Sequence, residues 1–146
     1  MVRFWDTSAV VALLVDEPES ARARLLVGED PAIIAWWATR TECMSALARL
    51  RREETINEQG EIRTRKLLLQ LVAQWSEVSP GTRLRSRAER LLSVHPLRAA
   101  DAYQLAAALV WTRGRTTERG FVSFDDRLRK AAAREGFSVL PADASA

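Results

Sequence analysis

Residues 2–14 read VRFWDTSAVVALL, and this segment determines the class of the fold. Residues 2–5 form a short apolar and aromatic run with the length of a buried strand. Asp6, Thr7 and Ser8 follow at once, and these residue types cap helices. Residues 9–15 are apolar on all sides, which predicts a buried helix. A buried strand that leads directly into a buried helix is typical of a βα unit.

The same alternation continues along the rest of the chain. Further strands are predicted at residues 32–36, 77–79, 120–124 and 137–140. Helices are predicted from Pro18, over residues 38–52, around 68–75, around 84–92, over 96–112 and over 125–135, with a break at residues 57–60. Strands separated by helices imply a parallel sheet with helices on both faces. We therefore predict one α/β domain over residues 1–146.

The composition excludes several classes of protein. Of the 146 residues, 47% are hydrophobic and 28% are charged, which is typical of a soluble globular chain. Cys43 and His95 are the only residues of their types, so an internal disulfide, a Cys/His zinc cage and catalysis by two histidines are excluded. The apolar runs are far shorter than the roughly 20 residues that cross a bilayer, and the N-terminus lacks the core of a signal peptide, so we expect a cytoplasmic protein. Lys and Arg number 22 against 19 Asp and Glu, a net charge of +3 that permits a polyanionic partner.

Four carboxylates are candidates for a single site. Asp6 and Asp125 each directly follow a predicted strand, and ligands of parallel sheets bind beyond the carboxyl ends of the strands. Asp101 lies in a helix that is apolar almost all round. With Pro96 as the first residue of that helix, Asp101 falls in the second turn, where a buried carboxylate is costly without a partner. Glu42 lies at the flank of an apolar helix face and can turn toward the same place.

Each acid also has a purely structural interpretation. Asp6 and Asp125 are good helix N-caps, Glu42 alone is more often a solvated helix residue, and Asp126 is explained as a first-turn acid stabilised by the helix dipole. Four converging carboxylates, however, would repel one another and raise one another's pKa values, so a cluster of this kind calls for a hard cation. Oxygen ligands favour Mg²⁺ or Mn²⁺, and hydrolysis of a phosphodiester is the natural use of such an ion.

Clusters of basic residues are candidates for attracting a nucleic acid. An acidic site repels a phosphate backbone, so flanking cations must supply the attraction. The runs that qualify are Arg49 with Arg51 and Arg52, Arg113 with Arg115, and Arg127 with Arg129 and Lys130. Ordinary solvated helix faces explain each run equally well.

Four motifs occur in order along nearly the whole chain. They are residues 4–20 (FWDTSAVVALLVDEPES), Thr41-Glu42, residues 97–106 (LRAADAYQLA) and residues 121–128 (FVSFDDRL). Together they resemble the PIN-domain proteins of the VapC toxin type. Trp5 is bulkier than the aliphatic residue usual before the first Asp, and Ser123 stands where Thr is commoner, but neither change removes a carboxylate.

The resemblance implies a fold and an activity. The fold would be a compact three-layer α/β/α domain with a mostly parallel five-stranded sheet. The activity would be that of a Mg²⁺- or Mn²⁺-dependent endoribonuclease, the toxin of a type II toxin–antitoxin pair. A water activated by the metal would cleave RNA and leave a 5′-phosphate and a 3′-hydroxyl. Homodimerisation and inhibition by a small antitoxin protein are implied as well.

The resemblance also implies roles for individual residues. Asp6 and Asp101 would be the principal metal ligands. Glu42 and Asp125 would complete the catalytic site, directly or through waters, and Ser123 would orient a ligand or a water.

The remaining distinctive residues have simpler interpretations. Trp36, Trp37 and Trp75 are candidates for an exposed dimer or antitoxin surface, although a core position is commoner for each of them. Cys43 falls on an apolar helix face and is expected to pack in the core. His95 is expected in a loop or at a helix entry.

Three rival functions can be compared with the same residues. A phosphatase with an aspartyl nucleophile requires a second Asp two positions after the first, where this chain has Ser8. A phospho-receiver domain requires an acidic pair after the first strand, where this chain has Asp6 alone. It also requires a Lys after the last strand, where this chain has Pro141. A catalytically silent PIN-fold module that binds RNA or protein is the alternative that stays open.

Overall fold

Five short strands form a sheet at the centre of the computed structural model, which describes residues 1–142; positions 143–146 of the predicted domain lie outside the described residues. The strands are β1 (Val2–Trp5), β2 (Ile34–Trp36), β3 (Ser76–Val78), β4 (Arg119–Val122) and β5 (Ser138–Leu140). Every neighbouring pair is parallel, and the strand order is β3-β2-β1-β4-β5. The parallel sheet predicted from the alternation is therefore confirmed.

The helices connect the strands in the predicted alternation. They are α1 (Thr7–Leu14), α2 (Ser20–Glu29), α3 (Thr39–Arg52), α4 (Glu58–Gln74), α5 (Thr82–Val94), α6 (Ala99–Thr112) and α7 (Asp126–Arg134). No helix within residues 1–142 is both long enough and apolar enough to cross a membrane.

The two faces of the sheet build separate cores, because side chains alternate along each strand. Phe4 and Phe121 point to one face, where their rings stack with centroids 5.4 Å apart, and α5, α6 and α7 cover that face. Trp5 and Val122 belong to the other core, which α1 to α4 cover. Helices on both faces give the three-layer α/β/α arrangement.

A crevice opens where the strand order reverses. β1 has β2 on one side and β4 on the other, so the chain leaves the centre of the sheet in opposite directions. Trp5 is paired with Val122, and the backbone N–H of Asp6 donates to the carbonyl of Val122 at 3.1 Å. The carboxyl ends of β1 and β4 therefore meet at a switch point of the sheet, and such switch points are where parallel sheets bind ligands.

Three predicted helix starts are wrong. α2 begins at Ser20 and not at Pro18, with Glu19 as its N-cap. α6 begins at Ala99 and not at Pro96, because Arg98 is extended, with ψ of 165°, and is the N-cap of this helix. α4 begins at Glu58, because the side chain of Asn57 accepts the backbone N–H of Gly60 at 2.7 Å as an N-cap. The predicted break at residues 57–60 is thus the start of a longer helix. The strand ends differ from the predicted ones by a residue or two.

Candidate functional site

A cavity of about 540 Å³ lies at the carboxyl ends of β1 and β4. All four acids predicted from the sequence line it, namely Asp6, Glu42, Asp101 and Asp125. Glu17 and Glu19, from the segment before α2, line the same cavity and were not predicted as site residues. Burial, and then the negative charge of Glu19, raises the pKa of Glu17. The structure thus gathers the predicted acids at one place, while their catalytic roles stay predictions.

Asp6 is the most deeply buried acid of this cavity, with 2% of its surface exposed. It is the N-cap of α1, and its Oδ1 accepts the backbone N–H of Ala9 at 2.9 Å and the hydroxyl of Ser8 at 2.7 Å. Its Oδ2 accepts the hydroxyl of Ser123 at 2.6 Å. Burial raises the pKa of Asp6 to about 6, although the three hydrogen bonds oppose the rise. Capping therefore does not compensate the charge fully, and a cation nearby would.

Two serines tie together the segments that follow β1 and β4. Ser123 is fully buried, and its Oγ donates to Asp6 and accepts the backbone N–H of Asp125 at 3.1 Å. Ser8 donates to Asp6 and accepts the backbone N–H of Phe124 at 2.9 Å. The two hydroxyls fix the rotamer of Asp6 and the path of the chain toward Asp125. The contribution of Ser8 was not predicted from the sequence.

Glu42 is held by a hydrogen-bond network that the sequence pattern did not reveal. Its Oε1 accepts the hydroxyl of Thr7 at 2.6 Å and the side-chain amide of Gln104 at 2.7 Å. Gln104 is buried, and its Nε2 also lies 3.0 Å from Oγ1 of Thr39. Glu42 is half-buried, so the interpretation as a solvated helix residue is wrong. The one feature of the sequence that could have indicated this network is the amide of Gln104, which stands alone among the alanines and leucines of α6.

Gln104→Met should lower the free energy of unfolding by about 1–3 kcal/mol, because Thr39 and Glu42 lose a buried hydrogen-bond donor. The buried Oε1 of Gln104 has no hydrogen-bond partner among residues 1–142, and its removal offsets part of the loss. Urea denaturation measures the effect, and Gln70→Met at an exposed position of α4 is the control. Equal stability of the two variants would show that the network does not hold this part of the fold.

Asp101 and Asp125 both lie at the beginnings of helices. Asp101 is the third residue of α6, which corrects its predicted place in the second turn, and its Oδ2 accepts the backbone N–H of Arg98 at 3.4 Å. Burial, and then the negative charge of Asp125, raises the pKa of Asp101. Asp125 is the exposed N-cap of α7, and its Oδ1 accepts the backbone N–H of Leu128 at 3.0 Å. Asp126 lies in the first turn of α7, as predicted.

Asp101→Ala should leave the fold intact and the melting temperature of the metal-free protein unchanged or higher. The hydrogen bond to Arg98 is long, whereas burial and the charge of Asp125 both disfavour the ionised form, so removing the carboxylate relieves more repulsion than it loses contact. Thermal melts in EDTA measure the effect. Asp126→Ala is the matched control, because it removes a solvent-exposed first-turn acid and should lower stability slightly. A large loss of stability in Asp101→Ala would contradict this account.

Two arginines lie beside the acids. Arg49 lines the acidic cavity itself, with its Nε 3.9 Å from an oxygen of Glu53. Arg127 shares a neighbouring depression with Asp101 and Asp125, and its positive charge lowers the pKa of Asp101 slightly against the stronger effect of burial. These positions suit cations that meet a phosphate backbone close to the site.

The other predicted basic runs are placed differently. Arg129 donates to the backbone carbonyls of residues 123, 140 and 141, at 2.8, 3.2 and 2.8 Å, so it joins the segments after β4 and β5 and serves the fold. Arg113 and Arg115 lie beside Val2 and Arg119, at the amino ends of β1 and β4. That edge of the sheet is opposite the acids, so the prediction that this pair flanks the site is wrong.

The remaining distinctive residues lie mostly in the core. Trp36 and Trp75 are buried, so their interpretation as exposed surface is wrong, whereas Trp37 has 56% of its surface exposed. Cys43 is fully buried, as predicted, and burial raises the pKa of its thiol to about 12. His95 directly follows α5 as its C-cap and is buried, so it lies where a helix passes into a loop and not at a helix entry. Its Nε2 lies 2.7 Å from the carboxylate of the residue that follows α7.

The donor set of the cavity fits a hard divalent cation. Its acids supply oxygen ligands, which Mg²⁺ and Mn²⁺ prefer, and the raised pKa values of Asp6 and Asp101 mark charge that a cation would offset. Among residues 1–142, no three His, Cys, Asp or Glu side chains are grouped tightly enough to hold a metal ion together. Because Mg²⁺ usually keeps several of its waters, two direct protein ligands with waters to the other acids would be enough to hold it.

Sequence comparison identifies the family. A sequence model of the PIN domain matches residues 3–134, which is most of the chain. The chain belongs to the PIN-domain family, and this confirms the three-layer α/β/α fold class. No curated protein matches the sequence significantly.

Several solved structures share this fold over most of their length. FitAcB from Neisseria gonorrhoeae is 16% identical, covers 94% of this chain and 96% of its own, and has a TM-score of 0.66. VapC20 from Mycobacterium tuberculosis, a sarcin-ricin loop cleaving toxin, is 18% identical over 93% of this chain and 96% of its own, with a TM-score of 0.64. A toxin–antitoxin complex from Klebsiella pneumoniae is 17% identical over 86% of this chain and 88% of its own, with a TM-score of 0.60.

Proposed function

We propose that this PIN-domain protein is a metal-dependent endoribonuclease of the VapC type, the toxin of a type II toxin–antitoxin pair. The observation that carries the proposal is the meeting of four acids from separate elements at one cavity: Asp6, Glu42, Asp101 and Asp125. Helix capping accounts for Asp6 and Asp125 one at a time, and hydrogen bonds to Thr7 and Gln104 hold Glu42, but none of these contacts gives a reason for the acids to share one cavity. A shared divalent cation gives one.

The proposed roles are those that the resemblance to VapC-type PIN domains implies, and the contacts of each acid are compatible with them. Asp6 and Asp101 would hold Mg²⁺ or Mn²⁺, and Glu42 and Asp125 would complete the site through waters. A divalent ion bound there lowers the pKa of a water and stabilises negative charge on a phosphoryl oxygen. Ser123 keeps Asp6 in one rotamer. The network around Oε1 of Glu42 fixes that carboxylate, so that Oε2 can orient the attacking water and receive its proton.

The substrate must overcome the negative charge of the cavity before it can be cut. Arg49 within the cavity and Arg127 at its border supply positive charge where an RNA backbone would pass. A phosphodiester bound by these arginines would lie beside the acids that are proposed to hold the metal and the attacking water. RNA is the substrate that this proposal favours.

The toxin part of the proposal is supported by the structural neighbours. One of them is a toxin–antitoxin complex and another is a toxin that cleaves the sarcin-ricin loop. By analogy we propose that a small antitoxin protein binds and inhibits this chain, and that the chain forms a homodimer. A cytoplasmic location fits the single Cys43, which is a free thiol.

The nuclease proposal is tested with purified protein and RNA in the presence of Mg²⁺, Mn²⁺ or EDTA. Cleavage is expected with either metal. The alternative, a catalytically silent module that binds RNA or protein, predicts binding without cleavage in all three buffers. The toxin proposal is tested by expression in cells. Growth should stop, and co-expression of the small protein encoded by the adjacent gene should restore it. Normal growth with active enzyme present would contradict the toxin role.

A further inference from the structure

A second cavity, of about 410 Å³, lies at the carboxyl ends of β2 and β3 and is lined by aromatic side chains. Trp36, Trp37 and Tyr103 form its walls, and Arg85 of α5 stands at its border. Its volume falls within the roughly 300–1,000 Å³ that is usual for ligand sites. We call this feature the aromatic cavity.

The rings of the aromatic cavity are arranged so that one of them is free to stack on a ligand. Trp36 is buried and stacks on Tyr103, with centroids 5.7 Å apart and planes 3° from parallel. Trp37 meets Trp36 edge-on, at 67° and a centroid distance of 6.4 Å. The backbone N–H of Trp37 donates to the carbonyl of Val78 at 3.1 Å, which anchors its main chain to the sheet. A large aromatic ring that is anchored and still 56% exposed is a ready stacking surface.

One helix, α6, contributes lining residues to both cavities. Tyr103 lines the aromatic cavity, and Asp101 and Gln104 of the same helix line the acidic cavity. Trp37 lies two residues before α3, the helix that carries Glu42. Both cavities open at the carboxyl edge of the same parallel sheet. A polymer bound along this edge of the sheet would therefore meet both cavities.

The charge next to the aromatic cavity favours a polyanion. α5 reads TRLRSRAERLLSV and carries four arginines against one glutamate, and Arg85, which borders the cavity, is exposed. A second copy of this chain that docked here through its own α5 would set these arginines against one another, which is unfavourable. Nucleic acid combines negative phosphates with flat bases and so matches both features.

We propose that the aromatic cavity is a substrate subsite in which an unpaired nucleobase stacks on Trp37 while Arg85 contacts an adjacent phosphate. The inference rests on the proposed ribonuclease function and adds a preference for single-stranded RNA next to the scissile bond. Stacking on an aromatic side chain is possible for every base, so the subsite selects unpaired nucleotides and not a particular sequence.

The test measures binding of a fluorescent single-stranded oligoribonucleotide to the protein in EDTA, by anisotropy. Trp37→Ala should weaken binding by about 5- to 150-fold, the range typical of losing one stacked base, and Trp37→Tyr should retain most of the affinity. Arg85→Ala should reduce the slope of log affinity against log salt by about 0.7. Leu25→Ala, at a residue of α2 that is 69% exposed, is the control for loss of an exposed apolar side chain and should bind normally.

A second ligand separates stacking from other causes. An oligonucleotide of the same length with abasic sites should bind wild-type protein and Trp37→Ala equally. Unchanged affinity of Trp37→Ala for the normal oligonucleotide would overturn the subsite. The subsite would also be overturned if the Trp37→Ala substitution converted a dimeric protein to a monomer, because a second copy of the chain would then cover Trp37. Binding is measured without metal, so it is independent of cleavage. If RNA binds through Trp37 but is not cut when Mg²⁺ or Mn²⁺ is added, the nuclease function is overturned and the stacking site is retained. RNA that is cut while Trp37→Ala binds normally would overturn the subsite alone.

Discussion

Asp6→Asn is expected to reduce RNA cleavage by at least about 100-fold, because loss of only an outer partner of a metal site already costs roughly 10–100-fold. Asp6 is the one fully enclosed acid of the cavity, with both oxygens fixed by hydrogen bonds to Ser8, Ala9 and Ser123. An asparagine keeps the size and one acceptor oxygen but loses the charge that a divalent cation requires. Initial rates on a labelled RNA at saturating Mn²⁺ measure the effect.

The control for this variant is Asp126→Asn. Asp126 is an exposed first-turn acid of α7, so its loss changes the net charge by the same amount without changing the acidic cavity. Asp126→Asn should keep nearly the full rate, and circular dichroism should show both variants folded. If folded Asp6→Asn cleaves RNA as fast as Asp126→Asn, Asp6 has no part in the chemistry.

Removal of metal by EDTA should abolish cleavage, and Mg²⁺ or Mn²⁺ should restore it. Saturation with Mn²⁺ at 100 times its dissociation constant should also stabilise the fold by about 2.7 kcal/mol, and so raise the melting temperature. The rise should be largely absent in Asp6→Asn. Cleavage that continues in EDTA would mean that the acids do not act through a metal.

The metal dependence should itself change with pH. Burial raises the pKa of Asp6 to about 6, so below that pH the carboxylate is protonated and competes poorly for a cation. Metal affinity should therefore be weaker at pH 5 than at pH 7, with proton release on binding between these values. Calorimetric titrations with Mn²⁺ in two buffers of different ionisation enthalpy measure both quantities. An affinity that does not vary over this range would place the metal away from Asp6.

Local patterns in the sequence were sufficient to predict most of the fold. The five strands and their parallel arrangement follow from short apolar runs between helical patterns, and Asp6 and Asp125 are predictable as N-caps because they sit between a strand and a helix. The start of α6 was predicted wrongly because proline is favoured both in the first turn of a helix and just after a helix. Pro96 takes the second role here, and this moves Asp101 into the first turn.

The supporting contacts of the site could not be predicted, because they join residues far apart in the chain. Gln104 reaches Thr7 and Glu42 across 97 and 62 positions, and no periodicity carries that information. The positions of the arginines relative to the acids could not be predicted for a related reason. The sequence shows where charge is clustered but not at which edge of the sheet the cluster lies. Arg113 lies at the edge away from the acids, whereas Arg85 of α5 lines the aromatic cavity.

The central claim is that Asp6 and Asp101 hold one divalent cation between them. The most direct measurement is anomalous diffraction at the manganese edge from a crystal of this protein soaked in Mn²⁺ near pH 7. A peak is predicted in the acidic cavity, where oxygens of both carboxylates would bind the ion directly. A cavity without a peak at saturating Mn²⁺, or an ion that touches neither Asp6 nor Asp101, would contradict it.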